Sequence, residues 1–547
     1  MRKFLLAAAA AMVVTPACAQ PAAEATASPG APKLIVALSI DQLSGDLYDE
    51  YRPSLQGGLG RLSQGVVFRN GYQSHNATET CPGHSTIMTG SRPSRTGIIA
   101  NYWFDLTQAR SDKGVYCSED ERVSGSSSTA YTVSPYHLRV PTLGDLLKRA
   151  QPGSRNVAVA GKDRSAVMMS GHSADQRWYW DGKTFSTDLK GVPMPRSVTA
   201  TRTAVGNAIG QDRPALQMPP ACQAKSQIIP IEGGGAPVGN HAFARKGGDI
   251  RNFRASPEFD GATLALAAAL IDEMQLGRGQ STDIISIGLA GSDVIGHSYG
   301  TGGAEMCLQL YSLDRDLAGF FNYLDGKGID YLVVLTADHG GQDIPERRRL
   351  QGVPNAARVD ARLNAKDVGA AIGAQLGLKG PVLYGEGSFG DMYVDKALSP
   401  RDQARAKAAA VAAFRTHPQV EAVFTREQLA AAPSPTAAPD QWSLIDKARA
   451  SFDPERSGDF VVLLKKDITP IANTTSYVAT HGSPWDYDRR VPILFWRRGM
   501  THVERNEAIE TVDIMPTLAA AIGLSVDARS IDGECLNNIA GASCPSR

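Results

Sequence analysis

The sequence predicts an α/β fold: a mostly parallel sheet sandwiched by helices, with inserted cap regions. Three observations point to it. Short apolar, β-branched runs recur along the chain, helical patterns separate them, and each run ends on charged or metal-ligating residues. Runs without polar alternation, separated by helices, suit a parallel sheet covered on both faces. Open sheets of this kind bind ligands just beyond the carboxyl ends of their strands.

Residues 33–40 (KLIVALSI) are the first predicted strand and end at Asp41. Residues 156–160 (NVAVA) lead into Gly161-Lys162-Asp163-Arg164. Residues 283–290 (DIISIGLA) lead into Gly291-Ser292-Asp293, and 331–336 (YLVVLT) into Ala337-Asp338-His339. Helical patterns at 142–150 and 261–274 lie among them. Two stretches read as insertions. About 165–257 is rich in Gly and Pro and weakly periodic, and its Trp178-Tyr179-Trp180 cluster is expected to pack over the rest. About 342–473 reads as a small α/β cap. There Ser399 is the expected N-cap and Pro400 the first residue of a helix, with short strands at 391–394 and 420–424 and a surface loop at 430–439. No internal repeat is visible, and one catalytic domain over 33–547 carrying these insertions suits the 547-residue length.

Composition is ordinary for a globular protein, 42% hydrophobic and 20% charged. The 56 basic and 56 acidic residues cancel, which argues against nucleic acid or an anionic membrane as the main partner. The N-terminus reads as a signal peptide over 1–19. Arg2 and Lys3 precede an apolar run at 4–14 that is too short to span a bilayer, and Ala17-Cys18-Ala19 fits a cleavage site. A buried N-terminal helix is the alternative. Cys18 would also suit a lipoprotein signal, although Thr15 stands three before it in place of an aliphatic residue. Residues 20–32, rich in Ala, Pro and Ser, read as a flexible leader. The mature chain is therefore expected to be exported, to periplasm or medium, with no membrane anchor. Without Cys18, six cysteines remain: Cys81, Cys117, Cys222, Cys307, Cys535 and Cys544. In an exported chain they allow three disulfides, of which Cys535 with Cys544 is the simplest.

The candidate chemistry lies in three groups. Asp41, Asp293, His297, Asp338, His339 and His481 are residue types that bind zinc where thiolates are not used, and six of them suit two metals. Manganese or iron would also accept such a set. In Thr78-Glu79-Thr80-Cys81-Pro82-Gly83-His84, the Pro and Gly suggest a turn into a helix. Thr80 would then stand at a helix N-terminus, where backbone N–H groups favour an anion. Its hydroxyl becomes a nucleophile only if a base or metal lowers its pKa, and a plain cap is the alternative. Lys162 and Arg164 at a strand end would make a phosphate clamp, or else two solvated loop charges.

These motifs together resemble the alkaline phosphatase superfamily, and within it the threonine-nucleophile zinc alkaline phosphatases of the PhoK type. The family's nucleophilic Thr, with Pro two on and His four on, matches Thr80, Pro82 and His84. Its metal motifs match in order at Asp41, Asp293 with His297, Asp338-His339, and His481 in Thr480-His481-Gly482-Ser483. Its phosphate-binding Asn matches Asn101, and its Lys-x-Arg matches Lys162 and Arg164. The resemblance implies an alkaline-phosphatase-like fold and two zinc ions. Asp293, His297 and His481 would hold one; Asp41, Asp338, His339 and Thr80 would hold the other. Asn101, Lys162 and Arg164 would grip the phosphoryl oxygens. It further implies hydrolysis of small phosphate monoesters to inorganic phosphate through a phosphothreonine, by a monomer. Acidic loops leave additional calcium undecided.

Three rivals follow from the same residues. A sulfatase of this fold needs Cys or Ser in C/S-x-P-x-R, whereas Cys81 directly precedes Pro82. A nucleotide pyrophosphatase/phosphodiesterase would share Thr80 and the six ligands, but it seats a second ester group and typically lacks the Lys-x-Arg clamp. A degenerate metal-binding protein would have lost ligands or nucleophile, and all of them are present.

Overall fold

The first strand, β1 (Leu34–Ile40), is buried along its whole length. Leu34, Val36 and Leu38 join a core on one face of the sheet, and Ile35 and Ala37 join a core on the other. An apolar run buried on both sides is the property that marks a central parallel strand. In the computed structural model, which describes residues 30–544, it sits at the centre of a ten-stranded sheet. The signal peptide expected over 1–19 and nearly all of the leader expected over 20–32 lie outside the described residues.

The other strands of this sheet are β2 (Val66–Tyr72), β3 (Asn156–Ala160), β4 (Gln176–Trp180), β5 (Phe185–Ser186), β6 (Asp283–Leu289), β7 (Tyr331–Thr336), β8 (Arg490–Arg497), β9 (Val503–Arg505) and β10 (Ile509–Glu510). Their order is β9-β2-β8-β7-β1-β6-β3-β4-β5, with β10 also on β2. The block β7-β1-β6-β3-β4 is parallel, with Leu38 opposite both Ile287 and Leu335. The four strands expected from the sequence are all in it. β8 then runs antiparallel between β7 and β2.

Six helices matter for the site: α1 (Thr80–Thr89), α2 (Asp163–Ser170), α3 (Glu258–Glu273), α4 (Gly291–Tyr299), α5 (Ala304–Gly326) and α6 (Ile514–Ala521). Phe259, Leu266 and Leu270 of α3, with Leu310 and Leu317 of α5, cover one face of the sheet. Ile87 and Met88 of α1, with Ile514 and Leu518 of α6, cover the other. Each fully buried Leu or Ile contributes roughly 1.5–3 kcal/mol, so the two layers fix the strand ends firmly.

The insertion expected from residue 165 differs in its start. Residues 163–170 form α2, and Trp178-Tyr179-Trp180 lies in β4 of the main sheet. Trp178 and Trp180 belong to the core beside Phe185 and Phe259. The strand is aromatic rather than β-branched and contains a charge, Arg177, which is buried and donates to the Gly171 carbonyl at 3.0 Å. The irregular part after β5 is held to the domain by the Cys222–Cys307 disulfide into α5. Cys81–Cys117 and Cys535–Cys544 are also bonded.

Within 342–473, strands Leu383–Tyr384, Gly390–Val394, Phe460–Leu464 and Val420–Thr425 form a separate four-stranded antiparallel sheet. The helix Pro400–Thr416 packs on it, capped by Ser399, whose Oγ accepts from Asp402 N. Met392, Phe414, Phe460 and Val462 give this cap its own core. Among the described residues, no helix is long and apolar enough to cross a membrane.

Candidate active site

All the singled-out groups converge beyond the carboxyl ends of the parallel block. Asp41 follows β1, Asp338 and His339 follow β7, and Lys162 and Arg164 lie at the junction of β3 and α2. Asp293 and His297 are one turn apart on α4, so they share a face, with His297 Nε2 3.2 Å from Asp293 Oδ1. His481 arrives from the loop after the cap, with Nε2 3.4 Å from the same oxygen. His339 Nε2 lies 3.4 Å from Asp41 Oδ1 and 3.3 Å from Asp338 Oδ2. Two sets of donor atoms thus cluster, Asp293-His339-His481 and Asp41-Asp338-His339. His339 belongs to both, and its ring stacks on His481 with centroids 3.6 Å apart.

The imidazoles are poised as ligands. Nδ1 of His297 lies 2.8 Å from Ala479 O, that of His339 2.8 Å from Gly340 O, and that of His481 2.8 Å from Thr78 O. A carbonyl oxygen only accepts, so each Nδ1 carries a proton and each Nε2 is the atom turned to the carboxyl groups. His339 Nε2 and Asp41 Oδ1 are buried and make no hydrogen bond. Burial pushes the His339 pKa down to about 3, so the ring is neutral. Burial, then the charges of Asp293 and Asp338, push the Asp41 carboxyl well above the ordinary range. Three buried carboxyl groups and three imidazoles form a donor set that fits divalent cations.

Thr80 is the first residue of α1 and is fully buried. Its Oγ1 lies 3.3 Å from Lys162 Nζ and 3.4 Å from Arg164 Nη2. The same Lys162 Nζ is 2.6 Å from Asp41 Oδ2 and 2.6 Å from Asp293 Oδ2. Burial opposes the ammonium, but Asp293 and Asp41 override it and hold its pKa above the usual lysine value. The motif around Thr80 has a steric logic: a Cβ at Gly83 would collide with the Asp338 carbonyl, so only glycine lets α1 approach β7 this closely. His84 Nδ1 lies 2.9 Å from Thr80 O and 3.1 Å from Asp338 Oδ2, tying the helix start to the loop that carries Asp338 and His339. Asn101 Oδ1 accepts from Cys81 N at 2.8 Å, which leaves its amide NH2 free to donate beside Thr80.

Several participants carried no sequence signal. Tyr116 OH lies 3.3 Å from Arg164 Nη1 and donates to Asp163 Oδ1 at 2.8 Å, fixing the guanidinium. Glu79 Oε2 accepts from Asn101 N at 2.6 Å. Gln42 bonds to both Asp293 and Asp338. Its position directly after Asp41 was the one available hint.

Comparison with known proteins agrees with this geometry. The family model described as type I phosphodiesterase / nucleotide pyrophosphatase matches residues 35–484. The chain is 53% identical over 514 residues to alkaline phosphatase PhoK of Sphingomonas sp, covering 93% of this chain and 92% of that one. It is 46% identical over 509 residues to alkaline phosphatase PhoD of Zymomonas mobilis, covering 92% and 88%. Its fold matches the crystal structure of wild-type alkaline phosphatase PafA with a TM-score of 0.80 at 25% identity, covering 94% of this chain and all of that one. By sequence and by fold the chain belongs to the type I phosphodiesterase/nucleotide pyrophosphatase family, beside the alkaline phosphatases PhoK and PhoD.

Proposed function

We propose that the chain is an alkaline phosphatase that hydrolyses phosphate monoesters through a phosphothreonine on Thr80. The observation that carries this reading is the convergence of Lys162 Nζ and Arg164 Nη2 on Thr80 Oγ1, at 3.3 and 3.4 Å. A monoester dianion presents bare phosphoryl oxygens that this pair can take, Arg164 as a fork and Lys162 as a point charge. The Asn101 amide, held by Cys81 N, adds a neutral donor. Thr80 Oγ, giving up its proton to solvent water, attacks phosphorus as the bond to the alcohol oxygen breaks, and the departing alkoxide takes a proton from water. Water then cleaves the phosphothreonine, restoring the hydroxyl and releasing inorganic phosphate. Lys162 and Arg164 stabilise the charge that develops on the equatorial oxygens in both steps. When bound, two zinc ions, one on Asp293, His297 and His481 and the other on Asp41, Asp338, His339 and Thr80, supply Lewis acidity to the nucleophile and leaving oxygens. A phosphodiesterase reading would leave the Lys162–Arg164 pair facing a second ester group instead of a bare oxygen.

Acid quench during turnover of p-nitrophenyl phosphate tests the reading. Peptide mass analysis should find phosphate on Thr80, and Thr80→Ala should give neither adduct nor turnover. An adduct elsewhere would overturn the assignment. The chain is further read as an exported monomer. N-terminal sequencing of the exported protein should begin at Gln20.

A further inference from the structure

Arg164 follows directly on a carboxylate, Asp163, yet among the described residues its guanidinium makes no ion pair. Nη1 lies 3.3 Å from Tyr116 OH, Nη2 lies 3.4 Å from Thr80 Oγ1, and Nε is buried without a partner. Nε and Nη2 form one edge of the planar fork, the edge that meets two oxygens of a phosphoryl group side-on. Chain neighbours of this kind do pair elsewhere: on α5, Arg315 Nη2 lies 3.1 Å from Oδ1 of the adjacent Asp316. An arginine fork binds a carboxylate with two charge-assisted bonds, so the separation at Arg164 needs a cause.

The cause is a pair of tyrosines. Tyr116 OH donates to Asp163 Oδ1 at 2.8 Å and Tyr131 OH to Oδ2 at 3.0 Å, while Arg164 N donates to Oδ1 at 2.8 Å. Both carboxylate oxygens are thereby engaged. Tyr116 ends the short strand Gly114–Tyr116 and is fully buried, and Tyr131 comes from the irregular segment after it. Their rings pack at 4.4 Å between centroids, and Tyr102, opposite Tyr116 in the strand Tyr102–Phe104, packs on Tyr116 at 4.9 Å. This stack fixes where the two hydroxyls point. Burial, then Asp163 itself, raises the pKa of both phenols, so both still donate at alkaline pH. Burial opposes the Arg164 charge, and Tyr116 and then Asp163 favour it. The carboxylate therefore helps the cation from a distance without covering its fork.

We propose that Tyr116 and Tyr131 are positioning residues that hold Asp163 off the Arg164 fork and so keep its Nε–Nη2 edge open to phosphoryl oxygens. The proposal rests on the phosphatase reading above. The alternative, that Asp163 only caps the start of α2 through Arg164 N, needs neither hydroxyl.

Tyr131→Phe is the decisive variant, because Tyr131 bonds to Asp163 and not to Arg164, and phenylalanine keeps the ring stack. Two quantities are read on zinc-loaded protein: kcat/KM for p-nitrophenyl phosphate, and the dissociation constant of inorganic phosphate by titration calorimetry. Tyr131→Phe should lower the first and raise the second, each about tenfold, the size of one charge-assisted bond. Adding Asp163→Asn should return both to within about twofold of Asp163→Asn alone, because an amide has no charge with which to take the fork. Unchanged constants in Tyr131→Phe, a loss that Asp163→Asn does not relieve, or an Asp163→Asn protein that itself binds no phosphate would each overturn the proposal. The phosphate constant needs no turnover, so the two readings fail separately. Phosphate affinity that follows these variants in a protein without monoester hydrolysis would sink the phosphatase reading and leave the tyrosine hold on Asp163 standing.

Discussion

Gln42 Nε2 donates to Asp293 Oδ1 at 3.3 Å from a backbone held at φ 69°. The N–H of the same residue donates to Asp338 Oδ1 at 3.2 Å. One residue, through its side-chain amide and its backbone N–H, therefore links the carboxyl groups expected to serve two different metals. The left-handed conformation is unfavourable for glutamine by about 1 kcal/mol or more, and strain of this kind persists only where the surroundings over-determine it. Gly296 and Gly341 supply the surroundings, because a Cβ on either would run into the Gln42 amide.

Loss of that amide should loosen the metals. Gln42→Ala is expected to bind zinc about 10- to 100-fold more weakly, read as release to a chromogenic chelator. Gln42→Gly should lose metal equally but melt higher than Gln42→Ala, because glycine accepts the positive φ. Wild-type metal retention in both variants would mean that Gln42 does not position Asp293.

The Cys81–Cys117 bond, which closes a separation of 36 residues, ties the residue after Thr80 to the end of the strand that carries Tyr116. Cys81→Ala/Cys117→Ala should lose roughly 2–4 kcal/mol of stability by denaturant melts. It should also raise KM, because Cys81 N orients Asn101. A stability loss with KM unchanged would confine the bond to a structural role.

Most of this arrangement is legible in the amino-acid sequence, and the reason is physical. A strand such as LIVALSI has to be apolar on both faces, and a parallel sheet has to put its chemistry at the strand ends, so β1, β3, β6 and β7 announced both themselves and Asp41, Lys162, Asp293 and Asp338. β4 stayed hidden because QRWYW is buried through aromatic packing and carries a buried arginine held by the Gly171 carbonyl, which leave no hydrophobic period. β8 stayed hidden among the residues after the cap, since antiparallel insertion beside β7 is decided by distant partners such as Leu335. Gln42 and Tyr116 act through contacts made across the chain, and no local spacing encodes those.

Asp260 gives a pH signature. It is buried, accepts from Gly291 N at 2.8 Å and Gln309 Nε2 at 2.7 Å, and burial raises its pKa to about 6 from 3.8. The folded protein then holds a proton that the unfolded chain has released. Stability contributed by that proton falls as pH rises from about 4 to 6 and stays lost above, by about 2–3 kcal/mol. Asp260→Asn keeps the Gly291 bond, and Gln309, whose Oε1 has no partner, can turn to accept from the new amide. The variant should melt higher than wild type at about pH 8 and show no gain near pH 4. A gain independent of pH would remove Asp260 titration as the cause.

The clamp is the central claim, and a rate comparison on zinc-loaded protein tests it most directly. p-Nitrophenyl phosphate and bis-p-nitrophenyl phosphate would be assayed with wild type and with Lys162→Ala/Arg164→Ala. The account predicts a far higher kcat/KM for the monoester, and a double variant that loses roughly a thousandfold or more of it while diester hydrolysis falls much less. A faster diester reaction, with both activities indifferent to the double substitution, would contradict it and leave Lys162 and Arg164 without a role at phosphorus.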